Sequence, residues 1–466
     1  MSLFMAGCGS SGSSGDEPVV KIPDETLPCE HPEYWPHNIA SEKEYPGIPG
    51  SHRFRVYYRS QDELGMAQEV VRLLDDAWDK EMNTIGFTPP LRYPSEGKSR
   101  CGQDASFAVF LWDGHRSCFV TPVDREEKDF LTPWGGLASY MILDAWGPYG
   151  IDRSNINPRN QLPQTIGHEL NHASHAADDF HDIDIAYEMS ATFIEQLYGP
   201  SDPALVADFQ SRPEWGLLWY EYYGTWYLYG SALYMNFLRD NYFYEAGRDD
   251  LKNDSFLADL WRAVRNTPDR SVNSPNWVDG INAILAPKNS SFIESVGVFA
   301  RWRYYAGDRD DGRHFRPWQL DWTTDRPSKD QMPFQTAATL KIQSIQLDDG
   351  EFVFDGPMVL GNVYLEIGAK EGQTSFGLTM PDPITPGSKD YKGVTARWMV
   401  QALPGIVPGS DGETVSDGKS DISSARVAFD PNTGKRTLVF TLLPVSGFDP
   451  KNQDGERYPL NIKLSP

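Results

Sequence analysis

The stretch TIGHELNHASHAADDFHDIDIAYEMSATFIEQ, residues 165–196, predicts two successive helices with chemically active side chains between them. His168 and His172 are four residues apart, so on a helix they lie one above the other on the same face. Two imidazoles in this arrangement can bind one metal ion, and Glu169 between them can reach a water molecule held there. The order H-E-x-x-H therefore indicates a zinc site, with His168 and His172 as ligands and Glu169 as a general base.

A third protein ligand is expected, because catalytic zinc typically takes three protein ligands and leaves one position to water. Glu188 lies on the second predicted helix, and the short polar connection DDFHD makes the two helices an antiparallel pair that turns Glu188 towards the histidines. Asp178 is the alternative ligand if the chain bends back after the motif. However, His175 stands where such a bend would need a glycine, so we expect the helix to continue and Glu188 to be the ligand.

With Glu188 as third ligand, the stretch resembles the gluzincins, zinc peptidases in which H-E-x-x-H is followed by a glutamate on the next helix. The resemblance covers residues 160–280. It implies a zincin-like metallopeptidase domain that binds Zn²⁺ and hydrolyses peptide bonds with Glu169 as the base. Tyr227 resembles the catalytic tyrosine of the aminopeptidase N type, which stabilises the oxyanion, with Tyr229 close behind. With Asp178 as third ligand, the spacing would instead resemble the metzincins.

Further polar residues surround the motif. Glu195 lies seven residues after Glu188 on the same helical face, and its role stays open between binding a substrate amine and pairing with a neighbouring basic group. His175, Asp179 and His181 are interpreted as part of a solvated loop, although they could instead orient the ligating imidazoles.

The rest of the chain predicts an α+β protein in three parts. Residues 1–49 are rich in Gly, Ser and Pro and form a leader and an extended segment. Residues 50–330 form the zincin-like domain, in which the edge strand, placed at 139–146, would align an extended peptide. Residues 336–466 contain short strands separated by Gly, Asp, Pro and Asn turns, which predicts a β-sandwich, Ig-like or a binding module, for a glycan or a protein.

Composition restricts the partners of this chain. Its formal net charge is -24, and such an acidic surface repels phosphates and anionic headgroups, which excludes nucleic acid as an expected partner. No stretch reaches the roughly 18 apolar residues of a membrane-spanning helix. Met5-Ala6-Gly7-Cys8 resembles the lipobox of bacterial lipoproteins and predicts a lipid anchor at Cys8. Cys101 and Cys118 predict a disulfide, so we expect an extracellular or cell-envelope location.

These observations favour zinc-dependent hydrolysis of peptide bonds in an extracellular or cell-surface protein substrate. Two alternatives stay open: a metzincin-like peptidase that uses Asp178, and a non-catalytic surface binding or adhesion protein on a zincin scaffold. Glu169 favours an enzyme, because a structural zinc site has no need of a carboxylate that does not bind the ion.

Overall fold

The computed structural model describes most of the chain between residue 34 and the C-terminus. The described residues are 34–91, 106–112, 119–122, 132, 134, 136–144, 162–199, 203–220, 226–248, 250–266, 273–306, 309, 311–315, 340–347, 350–384, 394–405, 410–420, 422–451 and 455–466. They form a mixed α+β protein with several sheets, which confirms the predicted α+β class. Cys8, Cys101 and Cys118 lie outside them, so the lipid anchor and the disulfide stay predictions. No described helix is long and apolar enough to cross a membrane.

The described helices and strands follow in chain order. The helices are α1 (Leu64–Trp78), α2 (Leu162–Asp178), α3 (Asp184–Glu195), α4 (Pro203–Ser211), α5 (Tyr227–Gly230), α6 (Ala232–Leu238), α7 (Asp250–Asn253), α8 (Ser255–Ala263), α9 (Trp277–Leu285) and α10 (Phe292–Tyr304). The strands are β1 (His37–Ala40), β2 (Phe54–Tyr58), β3 (Phe107–Leu111), β4 (Phe119–Pro122), β5 (Ser139–Leu143), β6 (Gln343–Gln346), β7 (Gly350–Phe354), β8 (Asn362–Gly368), β9 (Ser375–Thr379), β10 (Thr395–Leu403), β11 (Glu413–Ser416), β12 (Ser424–Ala428), β13 (Lys435–Ser446) and β14 (Leu460–Ser465).

The chain divides into two compact units that are not continuous in sequence. The first contains residues 1–201 and 243–284, and the second contains residues 202–242 and 285–466. The predicted boundary between residues 330 and 336 lies outside the described residues, and the second unit runs across it. Residues 37–40, predicted as part of an extended lead-in, form a strand of the first unit because they pair with β2.

The sheet of the first unit has the strand order β1-β2-β3-β5-β4. Strands β2, β3 and β5 are parallel, whereas β1 and β4 run antiparallel to their neighbours. Strands β3 and β5 are buried along their whole length, as expected for central strands covered on both faces. The prediction that residues 139–146 form the edge is wrong, because β5 pairs with β3 on one side and β4 on the other. Among the described strands, β4 is the outermost one on this side.

Helix α1 packs on this sheet with its apolar face. Val70, Leu74, Ala77 and Trp78 are fully buried, and the Trp78 ring meets an aromatic ring of β2 edge-on. The helix continues as a π-helical segment, Asp79–Ile85. Gly86 ends it with φ 96°, a left-handed conformation that glycine adopts at no steric cost. The helical segment therefore runs from Leu64 to Ile85, but its last turns are wider than those of an α-helix.

The second unit holds α4, α5, α6, α10 and two sheets. One sheet has the order β11-β10-β13-β8-β6 and the other β12-β9-β14-β7, with antiparallel neighbours throughout except for β6 and β8. The short strands predicted for residues 336–466 are present, as β6 to β14. Helix α10 packs against the five-stranded sheet, where the Tyr364 hydroxyl donates to the Ala300 carbonyl oxygen at 2.6 Å.

Candidate metal centre

Helix α2 carries the H-E-x-x-H motif. Over the length of the motif, the helix is buried on every side. His168, Glu169, Asn171 and His172 are between 0% and 6% exposed. The helix packs against α1, α3, α8, β4 and β5, all within the first unit. Polar groups enclosed in this way are costly unless they find partners within the fold.

A compact connection brings α3 back against α2, as the sequence predicted. The Asp179 carbonyl oxygen accepts a hydrogen bond from the Tyr187 hydroxyl. The Asp179 carboxylate accepts from the backbone N–H of His181 and from the Asn266 amide, both at 2.8 Å. Asp179 is fully buried, and so is His175, which stacks on Trp261 at 3.9 Å between ring centroids. The interpretation of His175 and Asp179 as a solvated loop is therefore wrong, because neighbouring helices cover both.

Three ligand atoms converge between the two helices. His168 Nε2 lies 2.9 Å from His172 Nε2, and Glu188 Oε2 lies 3.2 Å from the former and 3.7 Å from the latter. A tetrahedral ion with ligands at about 2.1 Å separates those ligands by about 3.4 Å. Of the described residues, His168, His172 and Glu188 are the group of acids, histidines or cysteines placed to hold one metal ion. The three predicted ligands are thus brought together, at a spacing that could hold a metal ion.

The electrostatics of the cluster favour positive charge at this point. Burial opposes ionisation of Glu188, but the charge of His172 and hydrogen bonds from both histidines lower its pKa to about 2. Burial also disfavours a charged His168, yet Glu195 and Glu188 together raise the pKa of His168 well above its usual value. Burial lowers the pKa of His172, against the opposing effect of the Glu188 carboxylate. A divalent cation at this point would compensate the charge of the buried Glu188 carboxylate and of the partly exposed Glu195 carboxylate.

The position of Glu195 bears on the two roles that the sequence left open for this residue. Its Oε1 lies 2.5 Å from Nδ1 of His168, so it pairs with a neighbouring base. A carboxylate on Nδ1 fixes the proton on that nitrogen and directs the lone pair of Nε2 towards an ion. The periodicity of α3 already placed Glu195 on the face of Glu188, but only the folded helix pair shows which ring it meets.

Glu169 is fully buried in the same turn of α2 and is not one of the three converging ligands. This agrees with a carboxylate that acts beside an ion without binding it. Asp178 is the last residue of α2, which continues past His175 as predicted. The carboxylate of Asp178 accepts hydrogen bonds from Thr88 Oγ1 at 2.7 Å and Arg265 Nε at 2.8 Å. The structure therefore supports Glu188 and gives no support to Asp178 as the third ligand.

Tyr227 belongs to the second unit, at the start of α5. Its side chain is buried, and its hydroxyl donates to the backbone carbonyl oxygens of Trp215 at 3.0 Å and Gly216 at 3.1 Å. Burial raises the pKa of this hydroxyl well above its usual value. The described contacts of Tyr227 are those of a structural tyrosine, so its role towards an oxyanion stays a prediction.

One buried acid beside the motif, Glu81, was not among the predicted site residues. Glu81 is fully buried and meets Asn171 of α2 and Tyr198, which follows α3. A signal was present in the sequence, because position 81 continues the apolar stripe of α1 that runs through Leu74 and Ala77. An acidic residue on the buried face of a helix is almost always paired with another polar group.

No known protein family matches this sequence, and the search of curated proteins finds no significant match. Any assignment of function to the chain therefore rests on the residues and geometry described above.

Proposed function

We propose that this chain is a zinc-dependent peptidase of the gluzincin type that cleaves an extracellular or cell-surface protein. The observation that carries the proposal is the convergence of His168 Nε2, His172 Nε2 and Glu188 Oε2 within 3.7 Å of one another. Two imidazoles and one carboxylate are a donor set typical of catalytic zinc, because three protein ligands leave a position for water.

Each residue then has a role that follows from its position. His168 and His172 offer Nε2 to the ion, and Glu195 holds the ring of His168 in the required orientation through Nδ1. When bound, the zinc ion supplies Lewis-acid activation of water. Glu169 would accept a proton from the attacking water and would deliver that proton to the leaving amine of the peptide.

The fold is compatible with this proposal. A zincin-like domain needs a sheet beside the metal-binding helix, and α2 packs against β4 and β5 of the first unit. Among the described strands of this sheet, β4 is the outermost beyond β5 and runs antiparallel to it, so β4 would align an extended peptide in place of residues 139–146. Within the second unit the chain alternates between two sheets, which supports a β-sandwich that we propose binds a glycan or a protein. The proposed envelope location rests on the sequence around Cys8.

The substitution Glu169→Gln tests the proposal. The wild-type chain should retain about one zinc ion after dialysis and cleave members of a mixed peptide library or casein. The Glu169→Gln variant should keep the zinc, because residue 169 is not a ligand, and lose about 10²–10⁴-fold in cleavage rate. Zinc content by atomic emission and cleavage by mass spectrometry give the two readouts.

Two results would contradict the proposal in different ways. A wild-type chain that holds zinc but cleaves no peptide in the library would indicate the non-catalytic binding protein on the same scaffold. Equal cleavage by wild type and Glu169→Gln would show that any activity uses another base. Glu63→Gln is a matched control, since Glu63 is also buried but accepts hydrogen bonds from the backbone N–H groups of Arg59 and Ser60.

A further inference from the structure

Glu81 occupies an uncommon place in the first unit. It lies in the π-helical segment Asp79–Ile85 that extends α1, and its side chain is fully buried. π-Helical turns are rare and occur frequently at functional sites. A carboxyl group in such a turn, enclosed by the helices of the metal cluster, is expected to have a specific task.

The Glu81 carboxyl group has two partners, and both bear on α2. Its Oε1 accepts a hydrogen bond from the Tyr198 hydroxyl at 2.7 Å, and its Oε2 accepts from Asn171 Nδ2 at 3.2 Å. Asn171 directly precedes the ligand His172. The ring of Tyr198 lies so close to Gly167 that a Cβ atom at this glycine would come within 2.1 Å of Cε2. Gly167 directly precedes the ligand His168.

One buried carboxyl group is therefore connected to both ends of the metal-binding turn. Through the Tyr198 ring it bears on the backbone before His168, and through the Asn171 amide it holds the residue before His172. Ligand geometry must be kept to about 0.5 Å for a functional site. Contacts with the residues that precede the two ligands can fix the distance between the two imidazoles without contact with either ring.

We propose that Glu81, Tyr198 and Asn171 form a clamp that positions His168 and His172 for the metal ion. Glu81 is its central positioning residue and does not contact the ion or a substrate. This inference rests on the proposed function, since it assumes that the cluster binds a metal. Burial raises the pKa of Glu81 to about 8, so at neutral pH the carboxyl group of Glu81 is mostly protonated and neutral.

The neutral state of Glu81 gives a sharp conservative variant. In Glu81→Gln, the amide oxygen can accept from Tyr198, and the amide NH₂ can donate to Asn171 Oδ1, which is buried without a hydrogen-bond partner in the described part of the chain. Glu81→Ala removes both hydrogen bonds, and Tyr198→Phe removes one while keeping the ring against Gly167. Val56→Ala is the matched control, because Val56 is fully buried in β2 and lies outside the clamp.

The test uses Co²⁺ as a spectroscopic probe of the full chain. The Co²⁺ affinity and the visible d–d absorption band are measured at pH 7, together with the melting temperature. Glu81→Ala should bind Co²⁺ about 10–100-fold more weakly than wild type, with a changed band. Tyr198→Phe should also bind Co²⁺ more weakly than wild type, whereas Glu81→Gln should match wild type in affinity and band. Val56→Ala should melt at a lower temperature but keep the wild-type affinity and band.

The results separate failure of the clamp from failure of the proposed function. If wild type binds Co²⁺ and Glu81→Ala binds it equally well with the same band, the clamp is refuted while the metal site stands. If Glu81→Gln is as weak as Glu81→Ala, the charge of Glu81 matters and the hydrogen-bonded clamp is also refuted. If the wild-type chain binds no Co²⁺, both proposals fall, because there is no ion for the clamp to position.

Discussion

Glu188 and Glu195 approach the ring of His168 from its two nitrogens, at 3.2 Å and 2.5 Å. Two carboxylates beside one buried imidazole are costly unless positive charge compensates them, because charged groups lose their hydration on burial. The same arrangement is useful for a metal centre. In the proposed zinc site, Glu188 would join the ligand set directly, and Glu195 would fix the ring that carries the first ligand atom.

The first prediction at the residue scale concerns the third ligand. Glu188→Ala should weaken zinc binding by more than about 100-fold, because the loss of a ligand exceeds the 10–100-fold effect of an outer partner. Asp178→Ala should leave zinc affinity within about twofold of wild type, although it lowers stability by breaking the ion pair with Arg265. Competition with a chromophoric chelator measures both affinities. The reverse order would restore the metzincin-like alternative.

The second residue-scale prediction concerns Glu195. Glu195→Gln keeps an oxygen that can accept from Nδ1 of His168 but removes the charge, so zinc should bind about 10-fold more weakly. Glu195→Ala removes both the accepting oxygen and the charge, so zinc should bind up to about 100-fold more weakly. The measurement is the same chelator competition. Unchanged affinity in Glu195→Ala would show that the 2.5 Å contact with His168 has no effect on the ligand atom.

At the scale of elements, the sequence predicts what depends on short spacings. The four-residue spacing of His168 and His172 and the short link to α3 place Glu188 correctly, because these relations are set by helix geometry. The π-helical end of α1 is not visible in the sequence, since an α-helical and a π-helical turn use the same residues. The contact of Glu81 with Asn171 spans 90 residues, so it depends on how α1 and α2 pack.

The burial of Glu81 predicts a pH dependence of stability. Burial raises its pKa from 4.5 to about 8, so its neutral form fits the fold. The stability that the neutral carboxyl group of Glu81 contributes to the fold is fully present below about pH 4.5, and it is lost as the pH rises to about 8. Relative to Glu81→Gln, wild type should therefore lose stability between pH 5 and pH 8, on the order of 5 kcal/mol in all, and no more above that.

Urea unfolding of both chains at pH 5, 7 and 9, with chelator present throughout, measures this difference. Taking the difference between the two chains cancels the titration of the other acids and histidines. A gap between Glu81→Gln and wild type that stays constant from pH 5 to pH 9 would mean that Glu81 ionises in the fold as it does in water.

At the scale of the whole molecule, strand pairing and the division into units escape local sequence patterns. Strands β3 and β5 have the apolar composition of central strands, but only their pairing shows that β4 lies outside β5. Residues 202–242 precede the first unit's last segment in the chain, yet they group with the C-terminal sheets. Apolar helices of similar composition occur in both units, so composition cannot assign them to one core or the other.

The division into units predicts where bound zinc stabilises the chain. All three ligands belong to the first unit, and a ligand that binds only the folded state at about 1,000 times its Kd stabilises that state by about 4 kcal/mol. Hydrogen exchange with and without zinc should therefore show slower exchange in α2 and α3 and unchanged exchange in β8, β10 and β13. Glu188→Ala is the control and should show no effect of zinc in either unit. Equal protection of the sheets by zinc would mean that the two units open as one cooperative block, and that the ligand set stabilises the entire chain.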